Sequence, residues 1–140
     1  MKKVHFIIDS VRRFSNDIPL LSRAETKARE LKHSKKDVLV FDIASSWEDV
    51  QRLKSGELTC LIVDEAQLFT PGQQELLTDI IKGLIKDKDI DVIITLDTGR
   101  LYPEKNYIYN TFKTQKKKGK KKGSKHGKIV YSSSRKLIKQ

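Results

Sequence analysis

Two adjacent carboxylates follow a short apolar run near the middle of this chain. Residues Cys60 to Val63 have the composition of a buried strand, and Asp64 and Glu65 come directly after them. In open α/β sheets, ligands bind at the carboxyl ends of the strands. The two side chains are therefore expected at the edge of the sheet where binding and catalysis occur.

Asp9, Asp42 and Asp97 close three further predicted strands, so they should share this edge with Asp64. Clustered carboxylates can hold one or two Mg²⁺ or Mn²⁺ ions, which activate water for phosphodiester cleavage. Such a cluster resembles that of PIN or NYN-type nucleases, with Asp9 closing the first strand and Asp97 a late one. A metal-dependent nuclease is therefore one hypothesis for the function.

The segment VDEAQ, Val63 to Gln67, resembles the Walker B segment of P-loop NTPases. It is most similar to that of type II thymidine kinases and of some helicases and nucleic-acid-translocating ATPases. The resemblance implies that Asp64 orders the Mg²⁺ of a bound nucleotide such as ATP, and that Glu65 polarises the attacking water. It predicts a nucleotide site, as in an active ATPase or a nucleoside kinase-like enzyme.

The phosphate-binding half of such a site departs from the family pattern. The motif GxxxxGK[ST] is absent, and no glycine occurs between Asp9 and Pro19. A looser comparison sets IPLLSRAET, from residue 18, against the thymidine kinase pattern GPMFSGKTT and retains only Pro19, Ser22 and Thr26. We therefore expect nucleotide hydrolysis to be lost or weak.

Several polar residues remain as weak candidates for binding a nucleotide or phosphate. Arg12 and Arg13 lie where the phosphate loop would be, and arginine side chains can bind phosphate directly. The segment LDTGRLYP, which contains Asp97 and Arg100, resembles a stretch of thymidine kinases, and helicase-type ATPases place a nucleotide-sensing residue at the same strand end. Ser22 completes this set, for which a solvated loop or a turn is the alternative.

The elements that position these residues alternate between strands and helices. Strands are predicted at about 3–8, 36–41, 60–63 and 91–96, and helices from Ser22, from Ser45 and from Pro71 to residue 87. Ser22 to Glu25, Ser45 to Glu48 and Thr70 to Gln73 fit capping boxes. The apolar strands indicate a three-layer α/β fold, with a mostly parallel sheet of four to five strands and helices on both faces.

In the third predicted helix, a broad apolar stripe is expected to be buried against the sheet. The residues of the stripe are Leu76, Leu77, Ile80, Ile81, Leu84 and Ile85.

The charge is distributed unevenly along the chain. Residues 102–140 hold 13 of the 29 Lys and Arg residues but only Glu104 of the 18 Asp and Glu residues, a net charge of +12. We therefore divide the chain into an α/β domain, 1–101, and a basic C-terminal arm, 102–140. The segment Lys128 to Tyr131 is either a fifth strand that makes the lysine run a loop, or part of a disordered tail.

The lysine run predicts a nucleic-acid partner, DNA or RNA, because each lysine that neutralises a phosphate releases counterions. An anionic membrane is a poorer partner, since the run lacks an apolar face. The candidate contact residues are Lys116, Lys117, Lys118, Lys120, Lys121, Lys122, Lys125 and Lys128.

Other features exclude some classes of protein. The single cysteine, Cys60, rules out a disulfide framework or a four-cysteine zinc site within one chain. His5, His33 and His126 lack metal-ligand spacing and are expected at the surface or in packing. No signal peptide or membrane-spanning run is apparent, so a soluble, intracellular (cytoplasmic) protein is expected, with a protein assembly partner as a further possibility.

Overall fold

The computed structural model describes residues 4–10, 18–55, 57–99, 105–119 and 128–131. In these ranges five strands form one sheet, and all neighbouring strands pair in parallel. Their order across the sheet is β2-β3-β4-β1-β5. The strands are β1 (Val4–Asp9), β2 (Val38–Phe41), β3 (Cys60–Val63), β4 (Asp91–Asp97) and β5 (Lys128–Tyr131).

Helices cover both faces of the sheet, which confirms the predicted three-layer α/β fold. One face packs against α1 (Leu20–Glu30) through a cluster that includes Ile62 and Ile93. The other face packs against α2 (Val50–Lys54), α3 (Pro71–Asp87) and α4 (Tyr107–Gly119). Short 3₁₀ turns occupy Lys35–Asp37, Trp47–Asp49 and Ala66–Leu68.

The burial of each strand follows its place in the sheet. All residues of β1 and β3 are buried, and so is the interior of β4, because these strands have a neighbour on each side and helices above and below. In β2, an edge strand, burial alternates, with Leu39 and Phe41 buried and Val38 and Val40 half-buried.

Helix α1 begins two residues earlier than predicted, and the capping box expected from Ser22 to Glu25 does not form. Its N-cap is Pro19, which makes no side-chain capping bond. Leu20, Ala24 and Ala28 follow one another at intervals of four, and all three are buried against the sheet. Burying Leu20 requires the helix to include it, which places the exposed Ser22 inside the first turn.

The cap before α2 is shifted by one residue from its predicted position at Ser45. The hydroxyl of Ser46 accepts a hydrogen bond from the backbone N–H of Glu48, at 3.1 Å. The Ser45 hydroxyl instead accepts the N–H of Asp42, at 2.9 Å, and donates to the Asp42 carboxylate, at 3.1 Å. Ser45 thus closes the turn after β2 and is not available as a cap.

The prediction for α3 is confirmed at both ends. Thr70 and Gln73 form a reciprocal capping box, Pro71 occupies the first turn, and the helix ends at Asp87. The buried stripe is narrower than predicted, because Leu76 is 49% exposed. The remaining members are buried or half-buried: Leu77, Ile80, Ile81, Leu84 and Ile85.

Helix α4 was not predicted, since residues from 102 onward were assigned to the arm. Asn106 caps it by accepting the N–H of Tyr109, at 3.0 Å. Ile108, Tyr109 and Phe112 are buried in the same core cluster as β1 and α3, and the Tyr109 ring meets Phe6 edge-on at 5.2 Å. The first half of α4 is therefore part of the α/β body.

The two readings of Lys128 to Tyr131 are resolved in favour of a strand. This segment forms β5, which pairs in parallel with β1 from His5 to Ile8.

At the amino ends of the strands, His5 and His33 converge on one carboxylate. Nε2 of His33 lies 2.6 Å from one oxygen of Asp91, and Nε2 of His5 lies 3.6 Å from the other. Burial opposes ionisation of Asp91, but its interactions with His5 and His33 outweigh burial and lower the pKa of this carboxyl. The cluster ties the end of α1 to β1 and β4, a packing role that agrees with the sequence-based expectation for both histidines.

We predict that Phe112→Ala lowers the free energy of unfolding by about 3–5 kcal/mol, because Phe112 is 2% exposed in the main core. The matched control is Tyr107→Ala, in the same helix but 42% exposed, which should cost at most about 1 kcal/mol. Urea unfolding followed by fluorescence of the single tryptophan, Trp47, measures both. Equal, small effects would show that α4 is not part of the body.

Candidate functional site

The carboxyl ends of β1 and β4 mark the point where the chain connections diverge. These strands are neighbours, with Asp9 opposite Asp97, yet β1 leads to α1 on one face and β4 leads to α4 on the other. Open α/β sheets bind ligands in the crevice formed at such a switch point. We define the candidate site as the carboxylates and their partners at this edge, from β1 across β4 to β3.

Thr95, a fully buried residue inside β4, connects the two strands that carry the site. Its hydroxyl donates a hydrogen bond to Oδ1 of Asp64, at 2.8 Å, and accepts one from the backbone N–H of Glu65, at 2.7 Å. Both hydrogen-bonding roles of the hydroxyl are thereby used. The Thr95 side chain thus binds both Asp64 and Glu65 to β4.

The backbone at Glu65 adopts a conformation that is uncommon for a residue with a side chain. Its φ of 53° and ψ of 59° lie in the left-handed region, which costs on the order of 1–3 kcal/mol. This turn ends β3 abruptly and leads into the 3₁₀ turn that contains Gln67. Such strain is maintained by surrounding contacts, and here the Thr95 hydroxyl supplies one of them.

Gln67 links the carboxylate of Glu65 to the end of β4. Its side-chain nitrogen donates to Oε1 of Glu65, at 3.1 Å, and its side-chain oxygen accepts the backbone N–H of Asp97, at 3.0 Å. The Asp97 carboxylate accepts the N–H of Gly99, at 3.0 Å, which forms a tight turn. A Cβ at Gly99 would lie 3.3 Å from this carboxylate, so a larger residue would crowd the turn.

Both carboxyls of the Walker-B-like motif are harder to ionise than usual. Burial is the main cause of the raised pKa of Asp64, and the negative charges of Asp42 and Glu25 add to it, against the hydrogen bond from Thr95. The pKa of Glu65 is raised by burial and then by the charge of Asp64, against the bond from Gln67. A cation placed between them would relieve this repulsion.

Asp9 is paired with an arginine. Its Oδ2 accepts a hydrogen bond from the Arg23 guanidinium, at 2.5 Å, and its Oδ1 accepts the backbone N–H of Ser10, at 2.7 Å. Arg23 belongs to the first turn of α1, so the ion pair joins α1 to the end of β1. Asp42 is likewise engaged close to its own strand, because its Oδ1 accepts hydrogen bonds from Ala44 and Ser45.

The four strand-end aspartates do lie along one edge, as predicted. Within the described ranges, however, no three Asp, Glu, His or Cys side chains come close enough to hold a metal ion together. Asp64 and Glu65 are the pair of adjacent carboxylates to which a hydrated Mg²⁺ could bind through one or two ligands.

The structure describes only some of the remaining predicted site residues. Ser22 is exposed on α1, while Arg12, Arg13 and Arg100 lie outside the described residues. Of the predicted nucleic-acid contacts, Lys116, Lys117 and Lys118 belong to the last turn of α4 and Lys128 begins β5. Lys120, Lys121, Lys122 and Lys125 lie outside the described residues.

Sequence reasoning missed Thr95, Gln67 and Arg23. Thr95 carried a signal, because it is the polar residue within the apolar run VIITL. Gln67 stood in the VDEAQ motif but was assigned no role. Nothing in the sequence marked Arg23, whose partner Asp9 lies 14 residues away in the chain.

Comparisons with known proteins add no relative. No protein-family model matches the chain, and no curated protein is similar to it. None of the described helices is long and apolar enough to cross a membrane. The class of protein defined by the structure is a three-layer α/β protein with a carboxylate site at the switch point of its sheet.

We predict that Asp64→Asn stabilises the fold at neutral pH by about 0.5–2 kcal/mol, the usual magnitude for a single stabilising substitution. The folded-state pKa of Asp64 is raised, so the fold favours the protonated carboxyl. The wild type therefore has its full stability below the unfolded-state pKa of Asp64 and loses part of it as the pH rises through the folded-state pKa. The gain should therefore vanish in acid. Urea unfolding between about pH 3 and pH 7 tests this pH dependence.

The control for this measurement is Glu75→Gln, which removes a carboxylate that is exposed on α3. Its effect should stay within about 0.5 kcal/mol at each pH. An Asp64→Asn protein that is less stable than the wild type at neutral pH would contradict the prediction.

Proposed function

We propose that this chain is a nucleic-acid-binding protein, built on a P-loop-NTPase-like α/β body in which nucleotide hydrolysis is lost or weak. The lysine-rich segment supplies the contact to DNA or RNA phosphates. The observation that carries the proposal is the concentration of charge, with eight lysines and no acidic residue between Lys116 and Lys128. Counterion release makes such a segment bind polyanions regardless of base sequence.

Two observations support the loss of hydrolysis. In the comparison of IPLLSRAET with the thymidine kinase pattern, the position of the phosphate-binding lysine is Ala24, which is fully buried between α1 and the sheet. The preceding position, a glycine in that pattern, is Arg23, whose guanidinium is paired with Asp9. Neither residue offers the backbone cradle or the free cation that a γ-phosphate needs.

A second candidate function is nucleotide binding or turnover at Asp64 and Glu65. It is favoured by the left-handed backbone at Glu65 and by the raised pKa of both carboxyls, because strain and perturbed pKa values cluster at functional sites. A Mg²⁺ ion held by these two residues would supply charge for phosphate binding. Metal-dependent phosphodiester cleavage has weaker support, since Asp9 is engaged with Arg23.

We predict that replacing seven lysines by glutamine lowers the affinity for nucleic acid at low salt by at least about a hundredfold. The slope of log K against log salt should become shallower by roughly 0.7 to 0.9 for each phosphate contact that is lost. Fluorescence anisotropy with labelled DNA and RNA measures both quantities. The positions are Lys116, Lys117, Lys118, Lys120, Lys121, Lys122 and Lys125.

The matched control replaces the same seven lysines by arginine, which keeps the charge and should keep the affinity within a few fold. If the glutamine variant binds as tightly as the wild type, the lysine segment is not the contact surface. If the wild type itself does not bind DNA or RNA, the proposed function is wrong.

The proposed function and the second candidate differ in nucleotide turnover. Because we propose that hydrolysis is lost or weak, we predict no measurable ATP turnover with Mg²⁺ by the intact chain. Isothermal titration with ATP and with dTTP, followed by a phosphate-release assay, tests this. Magnesium-dependent turnover that Asp64→Asn abolishes would overturn the view that hydrolysis is lost, and would establish the carboxylate site as catalytic.

A further inference from the structure

Because the strands are parallel, the two ends of the sheet carry charges of opposite sign. Since all five strands run the same way, each helix returns the chain to the amino ends of the strands, so the ends of α1, α3 and α4 lie at that edge. We call it the amino edge, and the opposite one, which carries the candidate site, the carboxyl edge.

The two edges carry charges of opposite sign. The amino edge has 13 Lys and Arg residues against six Asp and Glu residues, whereas the carboxyl edge has two against seven. The residues counted for the amino edge are 27–38, 51–55, 57–60, 84–91, 116–119 and 128. Those counted for the carboxyl edge are 9–10, 18–23, 41–50, 63–74, 97–99 and 105–110.

The cations of the amino edge extend beyond the lysine-rich segment. Lys128, the last lysine of that segment, begins β5 at one side of the sheet, whereas Lys35 and Lys36 precede β2 at the other side. Four strand spacings, about 19 Å, separate the two sides. Lys35 and Lys36 are both exposed, and neither forms an ion pair within the described part of the chain. A polyanion that follows the edge would meet cations at both sides.

A cavity of about 400 Å³ opens beside Lys35, between α1 and β2. It is lined by the buried Ala28 of α1, by Val38 and Val40 of β2, which are half-buried, and by the cations Arg29 and Lys35. This volume is within the range of small-molecule sites. An apolar surface bordered by cations suits an unpaired base with its phosphates, because bases stack on apolar and aromatic groups while the phosphates are neutralised.

Other charged groups line the same cavity. Glu25 is its acidic lining residue, and His33 lies beside it with Nε2 bound to Asp91. Arg29 and Lys35 outnumber Glu25, so the net charge of the cavity lining is positive. The paired bases of a duplex are stacked inside the helix and are not available to enter such a cavity.

We propose that single-stranded nucleic acid binds along the amino edge, with phosphates at Lys35 and Lys36 and an unpaired base in the cavity over Val38 and Val40. The inference rests on the proposed function and deepens it, by naming the form of the nucleic acid and a second contact surface. It also places the phosphates at Lys35 and Lys36, at the amino edge, whereas the acidic Asp64 and Glu65 lie at the carboxyl edge.

The test uses the full chain and a labelled single strand of about 20 nucleotides, compared with the same sequence as a duplex. The double variant Lys35→Glu/Lys36→Glu should lower the affinity for the single strand about tenfold or more. Lys35→Gln/Lys36→Gln should reduce the salt slope by roughly 0.7 per lost contact. The control is Lys105→Glu, an exposed lysine at the carboxyl edge, which should change the affinity less than twofold.

The outcomes separate this inference from the proposed function. If the seven-glutamine variant weakens binding but both Lys35 and Lys36 variants bind like the wild type, the amino-edge surface is wrong and the proposed function stands. If the wild type binds neither strand form, both fail. If the wild type binds the single strand and the duplex equally well, or an intact and an abasic single strand equally well, the proposal that the cavity binds an unpaired base is wrong.

Discussion

Parallel pairing is the constraint on which the rest of this molecule depends. A parallel strand cannot be reached by a tight turn, so each connection must cross a face of the sheet and return to the amino edge. All carboxyl ends then meet at one edge, which is why Asp9 and Asp97 lie opposite each other although they are 88 positions apart in the chain. The same constraint sends the ends of the helices, and the lysines they carry, to the opposite edge.

The carboxylate site is held by side chains whose polar atoms are largely satisfied. Thr95 joins β4 to the turn after β3, and Gln67 joins that turn back to β4. Such a closed network fixes the positions of Asp64 and Glu65 and keeps their like charges close together, at a cost in stability that packing elsewhere offsets. Fixed, repelling carboxylates are a typical feature of functional sites, whether or not this one retains catalysis.

Local patterns in the sequence were sufficient for much of the fold. Buried strands appear as short apolar runs, and the capping box of α3 lies within four residues, so both can be recognised in the sequence. The box expected at Ser22 failed because burial of Leu20 decided where the helix begins. Helix α4 escaped recognition because Ile108, Tyr109 and Phe112 are three apolar positions in a polar, lysine-rich context.

Only part of the candidate site was predictable, because local sequence patterns do not show which distant residues meet in the fold. The motif VDEAQ and the strand ends located the carboxylates, but the partners that orient them are distant in sequence. Thr95 acts on residues about 30 positions earlier, and the ion pair of Arg23 with Asp9 depends on how α1 sits on the sheet. Contacts of this kind depend on the tertiary arrangement and leave no periodic signal.

The position of β1 has a consequence for how the chain folds. This first strand pairs only with β4 and β5 among the described strands, and its partner for Val4 is Val92, 88 residues later. The ladder at the centre of the sheet can therefore close only after most of the chain has been made. Loops of this length are entropically costly to close, so such a topology folds slowly and leaves an apolar N-terminal strand unpaired until a late step.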